Sequence, residues 1–147
     1  MRSRRSSGRS TRKVAEVKPI RFTRHEMEEL DPSRELTAQE LATIRTIGDA
    51  TPEAALARCQ IDGATVAAAC VDRCGTVELI ISAAECPRFS PASGRVAEGV
   101  WREGQDSAQT VLLFAYEGVL SRLETYRHDG EVPTGLPPVD ELPTWAG

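Results

Sequence analysis

Four cysteines and two histidines are the residues of this chain best suited to chemistry: Cys59, Cys70, Cys74 and Cys86, with His25 and His128. A zinc site usually presents cysteines in pairs spaced two to four apart, because one short knuckle must aim two thiolates at one ion. Cys70 and Cys74 fit that spacing and flank a predicted turn. A second close pair is absent, so no metal ligand and no cofactor is expected from spacing alone. A disulfide set is not expected either, because no secretory signal pattern is visible. Cys59 and Cys70 read instead as small core residues, with Cys86 in a loop. Neither histidine lies near a Ser or Cys in a nucleophile motif, and no Cys–His pair is specified. Gly-rich phosphate loops, HExxH and DxDxDG patterns are also missing. Glu117 and Glu124 flank a predicted hairpin and would serve as acid and base if brought together. Carboxylates near a turn are far more often solvated.

Those side chains need elements to hold them. Asp31-Pro32-Ser33 reads as a turn. Thr37-Ala38-Gln39-Glu40 is a capping-box pattern, in which Thr37 accepts from the backbone three residues on and Glu40 reaches back. Leu41, Ile44 and Ile47 follow at helical spacing, and Gly48 ends the helix. Thr51-Pro52-Glu53 opens a second helix that runs to Asp62-Gly63. Residues 64–71 and 76–81 read as a β-hairpin around Asp72-Arg73-Cys74-Gly75, with Val77, Leu79 and Ile81 on one face. Residues 82–94 look irregular, and Arg95–Arg102 reads as a third strand. Thr110–Tyr116 is apolar on both faces and belongs in the middle of a sheet. Beyond Glu117-Gly118, Val119–Arg127 returns as a strand. Val119 and Leu123 would share one face, and Leu120 and Tyr126 the other with Arg122 and Glu124. The end of the chain, with Pro133, Pro137, Pro138 and Pro143, reads as an extended arm pinned by Leu136, Leu142 and Trp145. The expected class is α+β: two N-terminal helices, then an antiparallel sheet of about five strands and a Pro-rich C-terminal arm.

The 147 residues suit one domain, and no apolar run is long enough for a transmembrane helix. The net charge of −4 hides an asymmetry. Residues 1–24 carry nine basic side chains and one acid, a net of +8, which leaves −12 on the rest. Arg and Ser dominate the start, with little to bury, so residues 1–26 are expected to be a disordered basic tail. Residues 27–147 are expected to form a single acidic α+β domain. The 16 Arg against two Lys, with no Asn, suggest a GC-rich coding sequence. Upstream translation then makes Arg-rich peptide by chance, so Met27 is a candidate start and the tail a start-site artefact. Within the tail, Arg4-Arg5-Ser6-Ser7 has the form of a basic-directed kinase site.

The run Val111-Leu112-Leu113-Phe114, Glu117-Gly118-Val119-Leu120-Ser121 and Leu123-Glu124-Thr125-Tyr126 resembles a hairpin of small actinobacterial proteins that share a domain of unknown function. The resemblance covers about residues 36–143 and extends to the Cys70–Cys74 hairpin, although the family's turn is usually tighter and Cys-Gly-rich. It implies no activity. A looser likeness, limited to the one hairpin, is to bacterial toxin-immunity proteins.

Composition and resemblance together lead to a small cytoplasmic protein that binds rather than catalyses. Its acidic body would meet a basic protein partner, and an immunity-type inhibitor of a basic toxin is one concrete form. The alternative is a small enzyme with a site between Cys70/Cys74 and Glu117/Glu124. Nucleic-acid binding through the Arg-rich tail is a third reading, and it requires the tail to exist in vivo. No membrane partner is expected, and the sequence leaves the oligomeric state open.

Overall fold

The computed structural model describes residues 25–82, 85–102, 104 and 107–147. Most of the expected tail, residues 1–24, lies outside that set, and with it the Arg4-Arg5-Ser6-Ser7 motif. The element order is β1 (Met27–Glu35), α1 (Ala38–Gly48), α2 (Ala54–Asp62), β2 (Ala64–Cys70), β3 (Val77–Ile81), β4 (Gly94–Arg102), β5 (Ala108–Tyr116), β6 (Val119–Arg127), a 3₁₀ turn (Val139–Glu141) and β7 (Thr144–Ala146). All seven strands form one antiparallel sheet in the order β1-β2-β3-β6-β5-β4-β7. The α+β class holds, with two corrections. A strand precedes the helices, and the sheet has seven strands rather than about five.

Both additional strands lie at sheet edges. Asp31-Pro32-Ser33, a turn by sequence, lies inside β1, whose polar run MEELDPSRE has no apolar alternation. The Pro is accommodated where the register shifts between Glu29 and Arg34, on an edge strand that needs fewer ladder donors. β7 closes the opposite edge against β4, with Trp145 opposite Glu98. Leu142 is buried in the core as expected of a pin. Trp145 is not a pin, being 45% exposed and held by its backbone.

α1 begins as the capping box requires. Thr37 Oγ1 accepts from Glu40 N at 3.1 Å, and Thr37 N donates to Glu40 Oε1 at 2.9 Å. Arg34 of β1 donates to both Glu40 oxygens at 2.9 and 3.0 Å, a bidentate pair that ties the edge strand to the helix. Burial penalises the charged form of Glu40. The Arg34 hydrogen bonds, the Thr37 backbone bond and the nearby Arg34 charge outweigh that, and its pKa falls below the ordinary 4.5. A carboxylate with a depressed folded pKa stabilises the fold above its unfolded value and loses that contribution as pH falls through the folded value. Glu40→Gln keeps a capping side chain but removes this linkage. Its unfolding free energy is therefore expected to vary less than that of wild type when pH drops from about 5 toward 3, as denaturant titrations at each pH would measure.

α2 starts at Ala54, later than the Thr51-Pro52 signal suggests, because Thr51 Oγ1 caps Glu53 N in the preceding turn. Ile44, Ile47, Ala57 and Ile61 from the helices pack with Val66, Val77, Leu79, Ile81, Val111, Leu113 and Leu123 in one core. The β5–β6 ladder shifts register between Phe114 and Ala115, so Ala115 faces Leu120 while Leu113 faces Leu123. That bulge corrects the face expected for Leu120. It is 1% exposed and joins Leu123 in the core, not Arg122 and Glu124.

The C-terminal end of α2 is fastened twice. Cys59 and Cys86 form a disulfide across 27 residues of sequence. The small-core reading of Cys59 and the expectation of no disulfide are thereby corrected. Beside it, the buried Gln60 donates from Nε2 to Pro87 O at 2.9 Å and to Gly118 O at 3.1 Å, and its Oε1 accepts from Leu120 N at 2.9 Å. One amide therefore satisfies three backbone groups of the Pro87 loop and the β5–β6 hairpin. The hairpin needs Gly118, whose φ is +83° and whose Cβ position would lie 2.6 Å from Arg88 Cβ. Among the described residues, no helix is long and apolar enough to cross a membrane.

Candidate metal centre

The sheet face turned away from the helices carries the chemistry. Ladder pairs run across it from Ala68 to Glu78, from Glu78 to Arg122 and from Arg122 to Phe114. Cys70 lies two residues beyond Ala68, and Glu124 two beyond Arg122, so the pleat puts both on this face. The β2–β3 turn then brings Cys74 back. Arg73 N donates to Cys70 O at 3.1 Å and Cys70 N to Thr76 O at 3.0 Å. Arg73 and Gly75 have φ of +58° and +104°. Gly75 is required twice over, because a Cβ there would also meet Leu136 Cδ2 at 2.9 Å.

β1 adds a third group that spacing did not reveal. Met27 pairs with Cys70, and Val71 N donates to Glu26 O at 2.9 Å. The chain just before β1 is thus held along the cysteine turn, and His25 falls on the two thiols. His25 Nδ1 lies 3.3 Å from Cys74 Sγ and 3.8 Å from Cys70 Sγ. All three donor atoms lie within 4.8 Å of one another. A tetrahedral zinc ion with ordinary Zn–S and Zn–N bonds holds its ligands roughly 3.5–3.8 Å apart. The two His25–sulfur distances, 3.3 and 3.8 Å, lie close to that spacing. His25 and Glu26, assigned to the tail by composition, belong instead with the folded body. A chain beginning at Met27 would lack this imidazole.

The other imidazole nitrogen has its own partner. His25 Nε2 is 4.0 Å from Glu124 Oε2, with both side chains largely buried. That distance marks a charge contact, too long for a hydrogen bond. In the Nε2–H tautomer the ring N–H would face that carboxylate and the Nδ1 lone pair the sulfurs. A carboxylate behind the metal-binding histidine is the usual outer support of such ligands. Glu124 is in turn held by Arg122, whose Nε lies 3.1 Å from Oε1 and whose guanidinium sits 4.8 Å from the centre of the Phe114 ring. Arg122 Nε is buried without an aligned hydrogen bond, so this pair is coulombic.

The Cys74 thiol is a poor nucleophile by itself. Burial, then a hydrogen bond with Cys70, pushes the Cys74 thiol up to about 11, against weaker opposing bonds from Thr76. A reactive cysteine needs the reverse shift. In metal-free protein at neutral pH, Cys74 is expected to be alkylated by iodoacetamide at least tenfold more slowly than in the urea-unfolded chain, a difference that mass spectrometry of the Cys74 peptide would measure. Alkylation at equal rates would contradict this placement.

The enzyme locus expected from the sequence lies between Cys70/Cys74 and Glu117/Glu124; Glu124 reaches the cysteine pair only through His25, whose far nitrogen it faces. Glu117 does not join them. It lies in the β5–β6 turn, seven residues before Glu124 along the hairpin, roughly 20 Å away at strand spacing. The carboxylate-pair reading therefore loses its geometry. The sequence does not pair His25 with the cysteines, because it lies 45 residues before Cys70 and the strand that follows it carries no apolar alternation. No protein-family model, curated protein or solved structure matches the chain.

Proposed function

We propose that this protein binds a thiophilic divalent cation, zinc first among them, through Cys70 Sγ, Cys74 Sγ and His25 Nδ1. The observation that carries the reading is the convergence of those three atoms within 4.8 Å, two on one turn and one delivered by an edge strand. Donor chemistry supports zinc, since two thiolates and an imidazole favour it over hard cations. Binding replaces the thiol protons with the ion, which offsets the cost of ionising Cys74. The acidic binding body, the immunity-type inhibitor and tail-mediated nucleic-acid binding draw on charge outside this site, and the hairpin resemblance assigns it no activity. The Cys59–Cys86 disulfide favours an oxidising compartment over the cytoplasm.

Equilibrium dialysis of the full chain against zinc, followed by elemental analysis, tests the reading. One zinc per chain is expected in wild type, and none in the Cys70→Ser/Cys74→Ser double variant. Equal zinc in both would refute the assignment. Glu124→Gln should keep the stoichiometry and weaken affinity roughly ten- to hundredfold, as loss of an outer support does.

A further inference from the structure

If His25, Cys70 and Cys74 bind the ion as proposed, the remaining donors of the chain decide whether its shell closes. Among the described residues, no fourth Cys, His, Asp or Glu brings an atom into the cluster. The chain's other two cysteines are joined to each other. Its other histidine, His128, lies 2.6 Å from Thr110 Oγ1 and stacks on Tyr126. Glu124 approaches the far nitrogen of His25, on the side away from the sulfurs, and is engaged there by Arg122. The residues outside the described set include no cysteine and no histidine. A closed structural zinc shell is built almost entirely from four such ligands, whereas three protein ligands plus an exchangeable fourth is the pattern of reactive sites.

We infer that the ion bound by His25, Cys70 and Cys74 keeps its fourth coordination position for an exogenous ligand, a water molecule or a small anion. Two thiolates already balance the charge of a divalent cation, so the fourth ligand need not be anionic for the site to be neutral. Neutral water fits that position. An ion in this state acts as a Lewis acid on what it holds, polarising a bound water or carbonyl oxygen. The site is built for this without a nucleophilic thiol, because both sulfurs are committed to the ion.

Cobalt(II) in place of zinc gives the test, with sodium azide as the probe ligand. The full chain is loaded with one equivalent of cobalt, and its near-ultraviolet sulfur-to-cobalt charge-transfer band and visible d–d bands are recorded. The charge-transfer band reports the metal site itself. The expected result is that added azide shifts the d–d bands saturably while the charge-transfer band persists. Persistence of both sets of bands through the azide titration would overturn the open position and leave the metal site standing, with a protein side chain closing the shell. Loss of the charge-transfer band on adding azide would also overturn it, since the anion would then be stripping the ion. Absence of that band from the start, or its survival in Cys70→Ser/Cys74→Ser, would overturn the metal reading and this inference together.

Discussion

Cys74→Ser is expected to weaken zinc binding on the order of a thousandfold, with His25→Ala close behind. Zinc sites built from thiolates and imidazoles bind with apparent free energies of about 10–16 kcal/mol. Removing one of three protein ligands forfeits roughly a third of that, at about 1.4 kcal/mol per tenfold. A hydroxyl at position 74 keeps the size of the thiol but is a far weaker ligand for a soft ion. The effect should be specific to metal. Cys74 sits in a turn fixed by backbone bonds from Cys70 and Arg73, so the metal-free variant should unfold within about 1 kcal/mol of metal-free wild type. Competition titrations against a zinc-chelating dye would measure the affinity, and urea unfolding with chelator would measure the stability. Tight zinc binding by Cys74→Ser would remove the turn cysteine from the site.

The second large effect belongs to the disulfide. Closing 27 residues between Cys59 and Cys86 restricts the unfolded chain by about 3–4 kcal/mol at room temperature on the chain-entropy account. For a domain of this size, that corresponds to a fall in Tm of roughly 10–20 °C when both cysteines become serine. The folded state should survive the change, because Gln60 still binds the Pro87 and Gly118 carbonyls and the Leu120 amide. Cys59→Ser/Cys86→Ser combined with Gln60→Leu should then fall further, by about 3 kcal/mol, as three buried backbone groups lose their partner. Zinc stoichiometry should stay at one per chain in the serine pair, since this fastening lies on α2 and the loop after β3. The zinc triad sits at the β2–β3 turn and the start of β1. Thermal unfolding followed by circular dichroism, with zinc analysis of the same samples, checks both halves.

The parts of this fold that were legible in the sequence are those whose signals are local. The Thr37–Glu40 capping box forms as written, and the β2–β3 hairpin turns at Asp72–Gly75. β5, apolar on both faces, lies inside the sheet with β4 and β6 on its flanks. What was not legible depends on partners distant in sequence. β1 is a strand because β2 and the Arg34–Glu40 pair hold it, and its own residues give no period-two pattern. Leu120 faces the core because of one extra residue in the ladder, which no hydropathy pattern announces. Cys59 meets Cys86 through the packing of α2 against the loop after β3.

The site divides the same way. Cys70 and Cys74 were visible as a pair because three residues and a turn separate them. Glu124 was visible as a carboxylate on the face it does occupy. His25 depends on the register of β1 against β2, a long-range property, and it turns an unremarkable cysteine pair into a three-donor cluster. The expected tail boundary at Met27 obscured it further, by placing residues 25 and 26 with a basic tail.

X-ray absorption at the zinc edge of the zinc-loaded full chain counts the donors around the ion by type. Two sulfur neighbours at about 2.3 Å and two lighter nitrogen or oxygen neighbours at about 2.0–2.1 Å are expected, with imidazole scattering from one ring. A shell of light atoms only, or one with no imidazole, would contradict zinc binding by His25, Cys70 and Cys74.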